Sequence, residues 1–93
     1  MMNLFKKIKK KIGYYKVGYS YKVKLSDITI PPDFVKTPPK FVKMVAKREY
    51  FRAFGKYESK VILTKDFVLV DGYTTYLLCA ENEEKYVEVY FID

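Results

Sequence analysis

The stretch "FVLVDGYTTYLL", residues 67–78, constrains the fold more than any other part of the chain. An apolar run rich in β-branched residues ends at Asp71-Gly72, and the pattern then changes. Asp-Gly between two apolar runs is an ordinary hairpin signal. The segment after Gly72, however, has no alternation of period two. Tyr76-Leu77-Leu78-Cys79-Ala80 leading into "ENEE" suits a helix instead. The pattern predicts a strand, a sharp corner at Gly72 and a helix over 73–84 that starts within two residues of Tyr73 and buries Leu77, Leu78 and Cys79. A residue without Cβ allows both the turn and the close approach of a ligand. The first amides of such a helix have no partner within it, which makes its end a natural anion site. Thr74 and Thr75 either add hydroxyl donors for a phosphate or only cap the helix. The candidate phosphate- or nucleotide-binding residues are Asp71, Gly72, Tyr73, Thr74 and Thr75.

Upstream, "YKVGYSYKVKL" (15–25) alternates without a break. Tyr15, Val17, Tyr19, Tyr21, Val23 and Leu25 face one way, and Lys16, Gly18, Ser20, Lys22 and Lys24 the other. That period predicts a half-buried strand over 15–25, with Gly18 at a bulge or bend. All four prolines fall in "SDITIPPDFVKTPPKF", a loop with room for a brief strand at 28–30. Thr37 is a candidate cap for a helix over 39–54, and Gly55 a candidate C-cap. That helix is weakly amphipathic, with Lys40, Lys43 and Lys47 on one side. It is therefore expected to be covered on several sides or to break near Arg48. "KVILT" (60–64) and "FVLVD" (67–71) read as a hairpin or consecutive strands, and "YVEVYFI" (86–92) as a last strand. At the start, "NLFKKIKKKI" (3–12) sets Leu4, Phe5, Ile8 and Ile12 at helical spacing among lysines. The order is α+β: a small mixed β-sheet with packed helices and a short basic N-terminal helix.

Length and composition set further bounds. Ninety-three residues predict a single domain, 1–93, with 1–13 as a basic amphipathic arm; 49% hydrophobic residues suffice for a core. One cysteine excludes an internal disulfide framework. Without histidine there is no His-based general base, no Ser-His or Cys-His pair, and no metal ligand set is expected. No apolar segment approaches the ~20 residues of a membrane span, and the lysine-broken N-terminus does not read as a signal peptide, so a cytoplasmic location is expected. The net charge of +7 is unevenly placed: residues 1–60 hold 16 Lys or Arg and 4 Asp or Glu, whereas residues 61–93 hold 2 and 7. Such a distribution suggests a polyanionic partner, although a solvated surface or docking of the basic half on the acidic half accounts for it as well. The candidate nucleic-acid contacts are Lys6, Lys7, Lys9, Lys10 and Lys11 on the arm and Lys16, Lys22 and Lys24 on the first strand, with tyrosines between them able to stack on bases. The arm's apolar stripe would equally dock on the domain, a second copy or a membrane surface.

Several blocks together resemble the N-terminal domain of ParB-type partitioning proteins and the sulfiredoxin-like superfamily. They are Val23-Lys24-Leu25-Ser26-Asp27-Ile28, Phe54-Gly55, Val61-Ile62-Leu63, Asp66 and Leu69-Val70-Asp71-Gly72-Tyr73, in that order, over residues 21–92. The resemblance implies a small α+β domain whose mixed sheet supports a phosphate-binding corner at 72–76. It also marks departures. ParB-type domains that bind and hydrolyse CTP carry two arginines after the corner, where this chain has Thr74 and Thr75. Sulfiredoxins carry a catalytic Cys after the corner glycine, where this chain has Tyr73. Ending at Asp93, the sequence is expected to lack the helix-turn-helix domain of partitioning proteins. Two functions remain open. One is a non-catalytic ParB-like binding module for nucleotide or nucleic acid. The other is a nucleotide hydrolase, nuclease-like protein or phosphotransferase using Asp71, then Asp66 or Glu49. No cofactor is specified, and a homodimer or protein partner is compatible with either.

Overall fold

The final strand in sequence lies inside the sheet. The computed structural model describes residues 14–92. These form β1 (Ser20–Lys24), a 3-10 turn (Leu25–Asp27), α1 (Pro32–Lys36), α2 (Phe41–Phe54), β2 (Val61–Thr64), β3 (Leu69–Asp71), α3 (Tyr73–Glu81) and β4 (Tyr86–Ile92). The strand order is β1-β4-β2-β3. β4 pairs antiparallel with β1 (Val23↔Val87) and parallel with β2 (Val61↔Val89), while β2 and β3 form an antiparallel hairpin. Parallel neighbours need a long crossover, and β3 with α3 supplies it. The small mixed α+β sheet expected from the sequence is therefore present. The basic segment 3–12, with Lys6, Lys7, Lys9, Lys10 and Lys11, lies outside the described residues.

Period-two patterning sets the core. On β4, Val87, Val89 and Phe91 are buried and Glu88 is exposed. They meet Val23, Val61, Leu63, Phe67 and Leu69 from the other strands and the hairpin turn, and Cys79 from α3. At the sheet's other end Tyr15 joins this cluster, its ring 4.6 Å from Phe91 and 5.4 Å from Phe67.

Four local expectations are revised. The strand expected over 15–25 is confined to Ser20–Lys24. Gly18 adopts φ +91°, which breaks the extended run, and Val17 and Tyr19 turn outward at 50% and 64% exposure. In the proline-rich loop, Pro32 opens the short helix α1, and Thr37 ends that helix rather than capping the next. The expected strand at 28–30 reduces to a bridge at Thr29, whose amide donates to the Phe67 carbonyl at 2.8 Å and whose carbonyl accepts from the Leu69 amide at 2.9 Å. α2 does not break, and it is covered on one side only, with Met44, Lys47, Arg48, Tyr50 and Phe51 half-buried. It runs unbroken to Gly55, a left-handed C-cap (φ 69°) whose amide donates to Phe51 O at 2.8 Å, and no residue of it is fully buried. Phe51 stacks on Tyr57 with ring centroids 4.5 Å apart, and Arg48 makes a forked pair with Glu81, both contacts at 2.7 Å. Among the described residues, no helix is long and apolar enough to cross a membrane.

Candidate phosphate-binding corner

β3 runs into α3 with a single residue between them. Gly72 takes φ +89°, a left-handed conformation that costs glycine little. Space is short as well as the turn: a Cβ on Gly72 would meet the Lys60 carbonyl and lie 2.8 Å from Val61 Cα. Gly72 is thus required by the backbone at the start of β2 that lies beside it. The corner reading holds, since α3 begins at Tyr73.

Asp71 turns its carboxylate back on the corner, and Oδ1 accepts from the Gly72 amide at 2.8 Å. The first helical bond at this end runs from the Tyr76 amide to the Gly72 carbonyl at 2.9 Å. The amides of Tyr73, Thr74 and Thr75 therefore have no partner within the helix. Tyr73 and Thr74 line a cavity of about 280 Å³ together with Lys43, Lys47, Asp71 and Gly72, among others.

The five corner residues divide by environment. Asp71, Gly72, Tyr73 and Thr74 line the cavity. Thr74 is only 5% exposed. Thr75 faces the other way: its hydroxyl donates to the Ser59 carbonyl at 2.9 Å and ties α3 to the segment before β2. Leu78 and Cys79 are buried as expected, whereas Leu77 is half-buried. The cations come from α2. Lys47 Nζ lies 2.8 Å from Glu58 Oε1 and donates to Ser59 Oγ at 2.8 Å. Lys43, one turn earlier, has no ion-pair partner among the described residues. The i, i+4 lysines were visible in the sequence; that they face the corner depends on how α2 packs. Of the other acids weighed for catalysis, Asp66 lies in the β2–β3 turn and Glu49 pairs with Arg52 at 2.6 Å. Lys16, Lys22 and Lys24 are exposed and stand apart from the corner, Lys22 and Lys24 on the outward side of β1.

Cys79 is 1% exposed, and burial pushes its thiol up to about 11 from an ordinary 9.0, with the Tyr57 hydroxyl pulling the other way and the Glu84 charge adding to the rise. Because the folded value is raised, the contribution of this group, about 2–3 kcal/mol for two pH units, is complete below about pH 9. It is lost as the pH rises through about 11. The thiolate absorbance of the folded chain should therefore rise with a midpoint near 11, and Cys79→Ala should soften the alkaline fall in stability. A midpoint near 9 in the folded state would contradict this burial.

The sequence matches no family model and no curated protein. Solved structures are similar to it. The C2221 form of a Pnob8-like ParB N-domain superposes with a TM-score of 0.67 at 19% identity, covering 81% of this chain and 30% of that one. A pNOB8-like ParB N-domain gives 0.63 at 22% identity, with 81% and 28% covered. The C-terminally truncated chromosome-partitioning protein ParB from Caulobacter crescentus, complexed with CTP-gamma-S, gives 0.62 at 12% identity, with 82% and 45% covered. The chain has the fold of a ParB N-domain, and it spans less than half the length of these proteins.

Proposed function

We propose that this chain is a non-catalytic ParB-like binding module whose corner takes the phosphate end of a nucleotide or nucleic acid. One observation carries this reading: Tyr73 and Thr74, which open α3 with amides that have no partner within the helix, line one cavity with Lys43. Helix amides and dipole favour an anion there, and Lys43 adds a full charge. The cavity's ~280 Å³ falls just under the roughly 300–1,000 Å³ of pockets that enclose whole ligands, so phosphate enters and the rest of the ligand stays outside. That the similar Caulobacter protein was solved with CTP-gamma-S supports a nucleoside triphosphate as the first probe. Lysine is a point charge and does not reproduce the bidentate fork of an arginine. The hold on phosphate is accordingly weaker and less directional, which favours binding over catalysis.

Calorimetry with CTP-gamma-S and with inorganic triphosphate tests the reading. Lys43→Ala and Thr74→Val should each weaken binding about 10-fold or more, the scale of one hydrogen bond to a charged group. Asp71→Asn removes an anion from the cavity wall and should strengthen it. Unchanged affinity in both Lys43→Ala and Thr74→Val would refute the site. Asp71 on the wall is also the observation that favours the enzyme reading, and metal-dependent turnover lost in Asp71→Asn would decide for it.

A further inference from the structure

The sheet has a second face, and its chemistry differs from that of the corner. Side chains alternate across a strand, so the residues of β1 and β4 that leave the core all point the other way. On β1 these are Ser20, Lys22 and Lys24, and on β4 they include Tyr86, Glu88 and Tyr90. Their register sets Lys24 opposite Tyr86, Lys22 opposite Glu88 and Ser20 opposite Tyr90. Tyr86 is 48% exposed and Tyr90 half-buried. Two more cations stand over the rings: Lys60 Nζ is 4.3 Å from the Tyr90 centroid, and Lys85 Nζ 5.9 Å from that of Tyr86. None of these four lysines has an ion-pair partner among the described residues.

The face borders a cleft. β2 joins β4 only from Val61↔Val89 onward, and beside the earlier residues of β4 a space of about 540 Å³ opens. Lys22, Lys60, Tyr86 and Glu88 line it, so cleft and face are continuous. Two other glutamates on its wall are already engaged, Glu58 by Lys47 and Glu84 by the Tyr57 hydroxyl.

We propose that this face and its cleft bind single-stranded nucleic acid, with bases stacked on Tyr86 and Tyr90 and phosphates paired with Lys22, Lys24, Lys60 and Lys85. Every base has a π-face, and an exposed tyrosine ring ringed by unpaired cations meets both needs of a single strand. A duplex keeps its base faces stacked inside the helix, so only unpaired bases offer a π-face to the two rings, which four residues of strand set about 13 Å apart. Only splayed bases reach both rings. Lys60 over Tyr90 is not an obstacle. A cation–π contact at an exposed site is worth about 2- to 5-fold, a base stack about 5- to 150-fold, and the displaced ammonium remains beside the phosphate. The inference does not draw on the corner cavity, so the two stand or fall separately.

The test is fluorescence anisotropy of the full chain with an oligothymidylate of about 12 nucleotides, and with its duplex, at about 50 mM salt. The single strand should bind at least about 10-fold more tightly than the duplex. Tyr86→Leu with Tyr90→Leu should weaken it about 25-fold or more, while Tyr86→Phe with Tyr90→Phe should keep the affinity, which separates lost stacking from lost folding. Lys22→Ala with Lys24→Ala should lower the slope of log affinity against log salt by about 1.4. Equal binding by the leucine variant, equal binding of duplex, or no binding at this salt would each overturn the proposal. Binding kept by the leucine variant but lost on neutralising Lys6, Lys7, Lys9, Lys10 and Lys11 would overturn it in favour of the basic segment.

Discussion

Gly72→Ala is expected to cost about 2–5 kcal/mol and to lower the melting midpoint by about 10 °C or more. Two terms add. A side chain held at φ +89° carries the left-handed penalty of about 1–2 kcal/mol. The new Cβ also meets the Lys60 carbonyl and Val61 Cα, backbone atoms that begin β2. They cannot retreat without disturbing the Val61↔Val89 pairing at the centre of the sheet, and such overpacking costs about 1–3 kcal/mol more. Gly55 gives the internal comparison. It has φ +69° and open space around it, so Gly55→Ala should show the conformational cost alone. Matching losses in the two variants, measured by denaturant unfolding, would show that the contact with β2 is not tight.

The same corner shows what was legible in the sequence. Asp-Gly was ambiguous by itself, and the loss of alternation after Gly72 resolved it, because a helix and a strand impose different periods on their buried residues. The period gave less at 15–25. Alternation states which residues share a face only while the chain stays extended, and Gly18 ends that condition. Which face is buried depends on pairing partners far along the chain. Tyr15 and Tyr21 pack against Phe91, whereas Tyr86 and Tyr90, not singled out beforehand, stand among the lysines of β1. The two threonines behave alike in this respect. Thr74 and Thr75 are equivalent as sequence, and only the Ser59 carbonyl, sixteen residues upstream, separates them. Lys43 and Lys47 were visible as a pair, but their place beside the corner is a tertiary fact.

Phe91→Ala should be about as damaging, at about 3–5 kcal/mol, a large share of the roughly 5–15 kcal/mol that holds a domain together. The ring is 1% exposed and sits on β4, which has a paired strand on each side. Its centroid lies 4.6 Å from that of Tyr15, 5.3 Å from Phe67 and 5.7 Å from Tyr21, so one deletion opens a cavity shared by three aromatic neighbours. Phe91→Leu keeps most of the volume and should cost less than about 1.5 kcal/mol. The next residue provides the control: Ile92 points to the opposite face and is 39% exposed, so Ile92→Ala should cost far less. A second readout follows Tyr15, whose phenol is held above its ordinary value chiefly by burial, with Tyr14 and Tyr21 adding to the rise. With the Phe91 ring gone, that burial loosens, and the Tyr15 titration should move down toward 10.0. A loss in Phe91→Ala no larger than in Ile92→Ala, with the Tyr15 titration unmoved, would mean that the segment before β1 is anchored by something other than this cluster.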